Sequence, residues 1–467
     1  MDVKWVDFLV ILLFFITIII IGKKASDKVV RERDFFLGTK KMGRIPTALS
    51  MAANDFGGSG LVGAIGLTYL VGLSGAWWDF VSIPAFIILG LTLVGYFKRL
   101  NIRTIPELLE RRYNVQTRII AALLHLAGLT SMVTAQTSVA SMVISSMTGI
   151  PPAYTILVAT AVFVAYTARG GLLAVIWTDV FCYAIVMVSL LCAVILSVFH
   201  AGGMTNIVTS VPSSFWRLDQ IGWMEPLAWT ALVAFSYSLN QNFIQRIGAA
   251  KDEATAKFGF MYTGINYLLY GMIVALLGIC AYLVSPGLSN PQMAITVIIG
   301  ILPLGVKGLL MAGVLAATMS VSSSHLNAGA TIFTIDIYRR LINPKADERT
   351  SLKIARISTV AIVILSILIS YFMKNLINIV VFGQMLYVGC VFFPLILGLK
   401  FKWITGAAAI SSIITGTVMS MISYLFIYHK SGEMIGAIHP VFVASGCSLL
   451  VLITVSLPTL IKRYQSI

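Results

Sequence analysis

Long apolar blocks separated by short charged stretches fill this chain. A membrane-spanning helix needs about 20 predominantly apolar residues. The pattern predicts about 13 such spans: 5–22, 45–71, 75–97, 117–147, 152–168, 171–198, 225–245, 258–283, 304–338, 354–373, 375–399, 403–427 and 438–461. Two of them are interrupted. The second carries Met51-Ala-Ala-Asn-Asp-Phe-Gly-Gly-Ser-Gly60, and the seventh carries Phe235-Ser-Tyr-Ser-Leu-Asn-Gln-Asn242. Glycines loosen a helix, and irregular backbone at membrane depth persists only where protein buries it or it lines a cavity. An ionised Asp at the bilayer centre costs about 2.5–3.5 kcal/mol on insertion scales. A broken helix with Asp55 at its break therefore reads as an ion or solute site rather than an anchor.

The interrupted spans lie five helices apart and so cross in opposite directions. Interruptions at corresponding positions of two inverted halves point to a transporter's binding site. Spans two to six (about 45–198) and seven to eleven (about 225–399) are predicted to be inverted repeats, with the first, twelfth and thirteenth peripheral. The expected fold is an all-α polytopic membrane protein forming one transmembrane domain, 1–467. The loop from Lys98 to Asn114, with Ile105-Pro-Glu-Leu-Leu-Glu-Arg-Arg, is read either as a short interfacial helix or as a solvated loop.

Charge predicts an orientation. With the N-terminus outside and the C-terminus cytoplasmic, the outer side keeps only Lys4, Arg217, Lys307, Lys374 and Lys430 of the 33 Lys and Arg residues. That asymmetry is the positive-inside pattern, and it accounts for the net charge of +15 without nucleic acid. Hydrophobic residues make up 58% of the 467 and charged ones 11%, against roughly 25% charged in a soluble domain. The mean hydropathy is +0.93, so membrane lipid is the expected surround and the plasma membrane the expected location. Cys182, Cys192, Cys280, Cys390 and Cys447 all lie in apolar blocks with no C-x-x-C pair, which reads as packing rather than metal or disulfide chemistry. The first block is too long, and its positive charges follow rather than precede it, for a signal peptide. No P-loop, H-E-x-x-H, G-x-S-x-G or dinucleotide fingerprint stands in a fitting context. The chain is read as not an enzyme, and energy for transport has to come from an ion gradient.

Three acids fall inside predicted spans. Asp55 is read as a cation or proton group, against a helix cap as the bland alternative. Asp79, beside Trp77 and Trp78, is either an interfacial acid or a gating group. Asp179, in Trp177-Thr-Asp-Val180, is placed on a cation exit path, with pairing to an inner-loop Arg as the alternative. The ninth span carries Ala316-Ala-Thr-Met-Ser-Val-Ser-Ser-Ser-His-Leu-Asn327. Its hydroxyls either bond neighbouring helices or let Ser320 face the break and supply an oxygen to a hard cation. His325 reads as a packing histidine. Asn54, Gly57 and Gly58 at the break, with Gln136, Tyr237, Asn240, Gln241 and Gln384, are the candidate solute-binding residues. Each polar one can line a cavity or bond a neighbouring helix, and the interruption favours the cavity for the seventh-span group.

Tyr166-Thr-Ala-Arg-Gly-Gly-Leu-Leu-Ala174, Trp177-Thr-Asp-Val180, Asn240-Gln-Asn-Phe-Ile-Gln-Arg246 and Thr331-Ile-Phe-Thr-Ile-Asp-Ile-Tyr338 resemble the sodium:solute symporter family over nearly the whole chain. Ala53-Asn-Asp55 followed by Tyr69-Leu-Val-Gly-Leu-Ser-Gly-Ala-Trp77 is similar to its proline-symporter branch. The resemblance implies a five-plus-five inverted repeat like that of the leucine transporter. It also implies a co-transported sodium ion between the second and ninth helices, held by the carbonyls of Ala53, Phe56 and Ala317 and the hydroxyl of Ser320. Asp55 matches the aspartate of the proline branch. Val321 departs from the pattern, because the family has a second Ser or Thr there and valine offers no oxygen. The positions Val233 and Ser236 argue against a galactose-like pocket. The expected activity is cation-coupled symport, with sodium as the cation, of a small organic solute by alternating access. The alternatives are a proton-coupled or uncoupled carrier and a solute-sensing membrane module.

Overall fold

The computed structural model describes residues 4–27, 29, 32–38, 41–372, 376–428 and 440–465. Lys28, Arg31, Lys40, Lys374 and Lys430, which enter the charge reading, lie outside them. Apart from one isolated parallel bridge between Met42 and Ala250, the regular structure described is helical. The helices used below are α1 (Trp5–Ser26), α2 (Arg44–Asp55), α3 (Gly58–Val71), α4 (Ser82–Leu100), α5 (Ile105–Arg112), α6 (Val115–Thr148), α7 (Pro152–His200), α8 (Met224–Leu239), α9 (Gln241–Ala249), α10 (Glu253–Val284), α11 (Val306–Ile332), α12 (Glu348–Phe372), α13 (Leu376–Lys400), α14 (Gly406–Ser423) and α15 (Pro440–Gln465).

Among the described residues, ten helical runs are long and apolar enough to cross a membrane. This differs from the expected 13 at three places. The second and third spans fall in one run, Gly58–Leu100; the fifth has only a short apolar part, Pro152–Ala161; and the seventh is divided at Asn240. Breaks shorten the uninterrupted apolar runs on which span length is judged.

Local chemistry sets the helix ends. Thr104, Asn114, Asp252 and Thr405 each accept a backbone N–H from the first turn of α5, α6, α10 and α14, filling donors that a helix start leaves open. Within α7 the chain turns at Gly171, with φ 52 and ψ −154. A Cβ there would lie 2.5 Å from the Phe35 carbonyl oxygen, so only glycine fits.

The core surrounds α11, whose residues from Leu310 to Ile332 are buried without exception. It packs on α1, α6, α7 and α12, while α13, α14 and α15 group together. α11 passes into a π-helical stretch, Phe333–Ile342. There Asp336, fully buried, accepts from Thr104 at 2.9 Å and pairs with Arg118 at 2.6 Å. Arg118 also pairs with Glu110 at 2.5 Å, and Arg340 with the same Glu110 at 2.6 Å. The Arg340 guanidinium, with Arg118 behind it, holds the Glu110 carboxyl below its usual range. These pairs tie α5 to the end of α11, so the 98–114 loop is a docked helix with Ile105, Pro106, Leu108 and Leu109 buried. At the opposite end of α11, Asp7 of α1, fully buried, accepts from the N–H groups of Gly305 at 2.8 Å and Gly308 at 2.9 Å. A Cβ on Gly308 would strike the Asp7 backbone at 2.6 Å.

Candidate ion and solute site

The break between α2 and α3 comprises Phe56 (φ −74, ψ 61) and Gly57 (φ −74, ψ 149). The Gly57 N–H, which would close a helical turn on Ala53, bonds the Asp55 carbonyl at 2.7 Å instead. The first bond of the next helix runs from Leu61 to Gly57 at 2.9 Å. The Ala53 and Phe56 carbonyls therefore stand outside both helical ladders, available to a cation.

Glycine lets this break sit tightly between two helices. A Cβ on Gly57 would lie 2.8 Å from Gln136 Nε2 of α6 and 3.1 Å from Val321 Cγ2 of α11. One on Gly58 would lie within 2.2 Å of Thr318 Cγ2. Ala317, 1% exposed, precedes Thr318 on the helix that faces the break. Gln136 acts as a cap lent by another helix: its Oε1 accepts from the Ser59 N–H at 3.2 Å and its Nε2 donates to Ser59 Oγ at 2.8 Å.

Asp55 is half-buried. Its Oδ2 accepts from the Tyr237 hydroxyl of α8 at 2.6 Å and from the Tyr267 hydroxyl of α10 at 2.5 Å. Both hydroxyls meet the one oxygen Oδ2, and Oδ1 makes no hydrogen bond among the described residues. Phe56 stacks on Tyr270 at 4.1 Å and meets Tyr267 edge-on at 4.8 Å. Asn54, 3% exposed, has neither amide atom partnered among the described residues.

Below the break lies a buried ion pair. Asp179 Oδ2 meets Arg246 Nη2 at 2.5 Å, with the two side chains 0% and 1% exposed. Ser320 donates to Asp179 Oδ1 at 2.6 Å and Ser50 to its Oδ2 at 2.6 Å. Arg246 donates onward to Ser50 at 2.8 Å, to Ser324 at 2.6 Å and to the Asn242 carbonyl at 3.0 Å. This knot joins α2, α7, α9 and α11. The Ser320 hydroxyl is thus aimed at Asp179, and it is Val321 whose methyl faces the break.

The structure brings together Ala53, Asn54, Asp55, Phe56, Gly57, Gly58, Gln136, Tyr237, Ala317 and Ser320, and sets Asp179 beneath them. It engages two others elsewhere, Gln241 and Asn240. Gln241, fully buried, gives both ends of its amide to the α4–α5 loop: Oε1 to the Ile105 N–H at 3.2 Å and Nε2 to the Arg103 carbonyl at 2.7 Å. Asn240 caps α9 through the Asn242 N–H at 2.9 Å. Gln384 follows Gly383, which packs on Ser131 and Gly128 of α6, about 8 and 12 Å along that helix from Gln136 at 1.5 Å per residue. His325 is engaged with the Val321 carbonyl at 2.7 Å and Asn242 at 3.2 Å, a packed histidine. Tyr267 and Tyr270 join the site without a place in the sequence reading, although Tyr262, Asn266, Tyr267 and Tyr270 crowded into an apolar span are a readable signal; Arg246 gives Asp179 the inner-loop Arg partner that stood as the alternative to an exit path.

A family model described as "SSF: Sodium:solute symporter family" matches residues 35–416. A sodium/glucose cotransporter of Vibrio parahaemolyticus is 28% identical over 413 residues, covering 79% of this chain and 75% of its own. A high-affinity proline transporter of Bacillus subtilis (strain 168) is 27% identical over 436 residues, covering 86% of this chain and 89% of its own. Among solved structures, a Na+-coupled sialic acid symporter in a substrate-bound outward-open state superposes with a TM-score of 0.83 at 19% identity, covering 97% of this chain and 98% of that one. MhsT in complex with L-phenylalanine superposes with a TM-score of 0.51 at 13% identity, covering 89% of this chain and 99% of that one. These two likenesses speak to the fold, which is that of leucine-transporter-like carriers. The matched family model spans most of the chain, and the chain belongs to the sodium:solute symporter family, as a multi-pass cation-coupled carrier of a small solute.

Proposed function

We propose that this protein moves sodium inward together with a small organic solute across the plasma membrane, using the break at Phe56–Gly57 as the shared site. The observation that carries this reading is Asp55 at unwound backbone, with the Ala53 and Phe56 carbonyls outside the helical ladders and α11 packed on Gly57 and Gly58. Sodium takes the carbonyls of Ala53, Phe56 and Ala317 and the Ser320 hydroxyl; Asp55 supplies charge from one side. Asn54, Gly57, Gly58, Gln136 and Tyr237 border the solute. Asp179, bonded to Ser320, receives the ion on its way inward. The inverted repeats 45–198 and 225–399 rock about this site, with the N-terminus outside and the C-terminus cytoplasmic.

The test is a thermal-stability screen of purified protein with sodium, potassium or neither, against amino acids, carboxylates, sugars and nucleobases. A ligand at 100-fold its dissociation constant stabilises by about 2.7 kcal/mol. A solute whose effect requires sodium, and which is then accumulated by proteoliposomes under a sodium gradient, supports the reading. Accumulation that ignores sodium and follows a proton gradient sinks it, and favours the second reading, in which Asp55 carries a proton. Val321 gives that second reading its support, since its methyl group is turned toward Gly57 where an oxygen would serve the ion.

Val321→Thr places a hydroxyl of nearly the same volume at the break, although that polar group needs a partner. Half-saturation of uptake by sodium should fall severalfold in Val321→Thr and rise in Ser320→Ala. An unchanged sodium dependence in Val321→Thr would remove α11 from the ion site. For orientation, an impermeant thiol reagent applied from outside should label a cysteine placed at Gly203 and miss one at Ala346; the opposite pattern reverses the topology.

A further inference from the structure

Four buried polar side chains below the break each keep an atom without a partner among the described residues: Asn242 Oδ1, His125 Nδ1, Tyr387 Oη and Asp336 Oδ2. None of the four residues is more than 4% exposed. Such atoms are costly to hold in a closed interior, and each calls for a partner supplied by another state or another molecule.

They lie along one seam. On α6, Arg118, Ala122, His125 and Leu129 follow at steps of three or four residues, and Gln136 stands two turns further, which sets them on one face. On α11, Thr318, Val321, His325, Ala328 and Ile332 follow at the same steps. The two faces meet at the break, where Gln136 and Val321 both border Gly57. They meet again where Ala122 and Leu129 pack with Ala328 and Ile332. In the π-helical stretch that follows, Arg118 pairs with Asp336. Arg118 lies about 27 Å from Gln136 at 1.5 Å per residue, so the seam runs from the break to the far end of the core. Between those ends, Asn242 of α9 meets His325 at 3.2 Å, and the His125 ring stacks on Tyr387 of α13 at 3.7 Å and 15°. α6 and α13 close tightly there. A Cβ on Gly128 would lie 2.8 Å from the Gly383 carbonyl oxygen and 3.8 Å from the Tyr387 Cβ.

The neighbouring flank of α11 is built differently. Ser320 and Ser324, turned about 100° from the seam at 3.6 residues per turn, belong to the Asp179–Arg246 knot, where both Asp179 oxygens are occupied. That flank is charged and complete. The seam instead offers an imidazole nitrogen, a phenol and an amide oxygen on largely apolar walls, the kind of lining that holds an organic solute.

We propose that the solute leaves the break along this seam toward Asp336, on a different flank of α11 from the ion, and that the His125–Tyr387 stack closes the way. The inference rests on the symport reading above and adds to it a separate exit for the solute. When α6 and α13 draw away from α9 and α11, the four open atoms become the solute's successive partners.

The test uses a small, uncharged, polar thiol reagent, 2-hydroxyethyl methanethiosulfonate, on purified full-length protein in detergent. Ala122→Cys and Ala328→Cys, one on each wall, are made in protein whose five native cysteines are replaced by alanine. A third protein keeps only native Cys182, fully buried one turn from Asp179 on the ion's flank. Modification rates are read in sodium and in potassium. In one of the two conditions, Ala122→Cys and Ala328→Cys should react about tenfold faster than Cys182, or more. Adding His125→Ala, which removes the stack, should speed Ala328→Cys severalfold, while His125→Phe, which keeps a stacked ring, should not. Rates no higher than that of Cys182 in both conditions overturn the route, and equal rates for the two His125 variants overturn the stack as its closure. Thermal unfolding of every variant, with and without sodium, checks that the reacting protein is folded and separates the two readings. Sodium that stabilises the protein while the seam cysteines stay unreactive leaves symport standing and removes this exit. Reactive seam cysteines in a protein indifferent to sodium keep the exit and remove sodium as the driving ion.

Discussion

Asp55→Asn protein reconstituted into liposomes should fail to accumulate solute under a sodium gradient, with sodium affinity reduced at least about 100-fold, equivalent to about 2.8 kcal/mol. The substitution keeps the volume and one acceptor oxygen. That oxygen can still receive the Tyr237 or Tyr267 hydroxyl, which bond Asp55 at 2.6 and 2.5 Å. What disappears is the charge. An ion leaving water for the unwound break loses its hydration, and the carbonyls of Ala53 and Phe56 offer only partial charges in return. Hydrogen bonds to a charged group contribute about 1.5–3 kcal/mol, and a desolvated cation depends on the opposite charge more strongly still. The protein should remain folded, because the aromatic packing of Phe56 on Tyr270 and the seat of Gly57 between Gln136 and Val321 do not involve the carboxylate. Asp55→Asn protein that elutes as a stable species and still accumulates solute at the wild-type rate would take Asp55 out of coupling.

The second large effect is on stability. Arg246→Ala leaves Asp179 buried beside Ser50 and Ser320 with no guanidinium to answer it. Removing one member of a buried pair typically costs about 3–5 kcal/mol, because the other charge is left uncompensated. Thermal unfolding in detergent should show a marked fall for Arg246→Ala and a comparable one for Asp179→Ala. The double variant Asp179→Asn with Arg246→Gln removes both charges while keeping hydrogen-bonding capacity, and should recover more than half of the loss. A double variant as unstable as the sum of the single ones would mean the two residues act independently, contrary to the geometry.

How much of this is legible in the sequence depends on the kind of signal. The break in the second span is plain, because three glycines, an amide and a carboxylate are too costly to stand at membrane depth in an unbroken helix. The break at Asn240 is equally plain from its polar cluster. Pairing is legible only in part: the chain offers Asp179 an inner-loop Arg as a partner without saying which one. Arg246 reads along the chain as one more inner-loop cation, yet α9 continues inward past the break and carries it to Asp179 with 1% exposure. Gln241 reads as a cavity-lining amide, whereas the face it presents holds the backbone at Arg103 and Ile105. A single sequence gives the period of a helix but not which neighbour each face meets. Asp7 is hidden for a related reason: it falls two residues inside an apolar block and acts on glycines some 300 positions away.

That clasp shapes how α11 can travel. Its Gly305–Gly308 end is gripped by a neighbouring helix through two amides and a glycine with no room to spare. Any rigid tilt of α11 about this grip makes the helix a lever with its fulcrum at Gly308. Ser320 lies about 18 Å from Gly308 at 1.5 Å per residue, and the far end of the π-helical extension lies nearly three times as far. A tilt of about 10° then carries Ser320 by about 3 Å and the far end by about 9 Å on the same scale. The geometry magnifies a small displacement at Ser320 into a wide one toward the end where Asp336 and Arg118 sit.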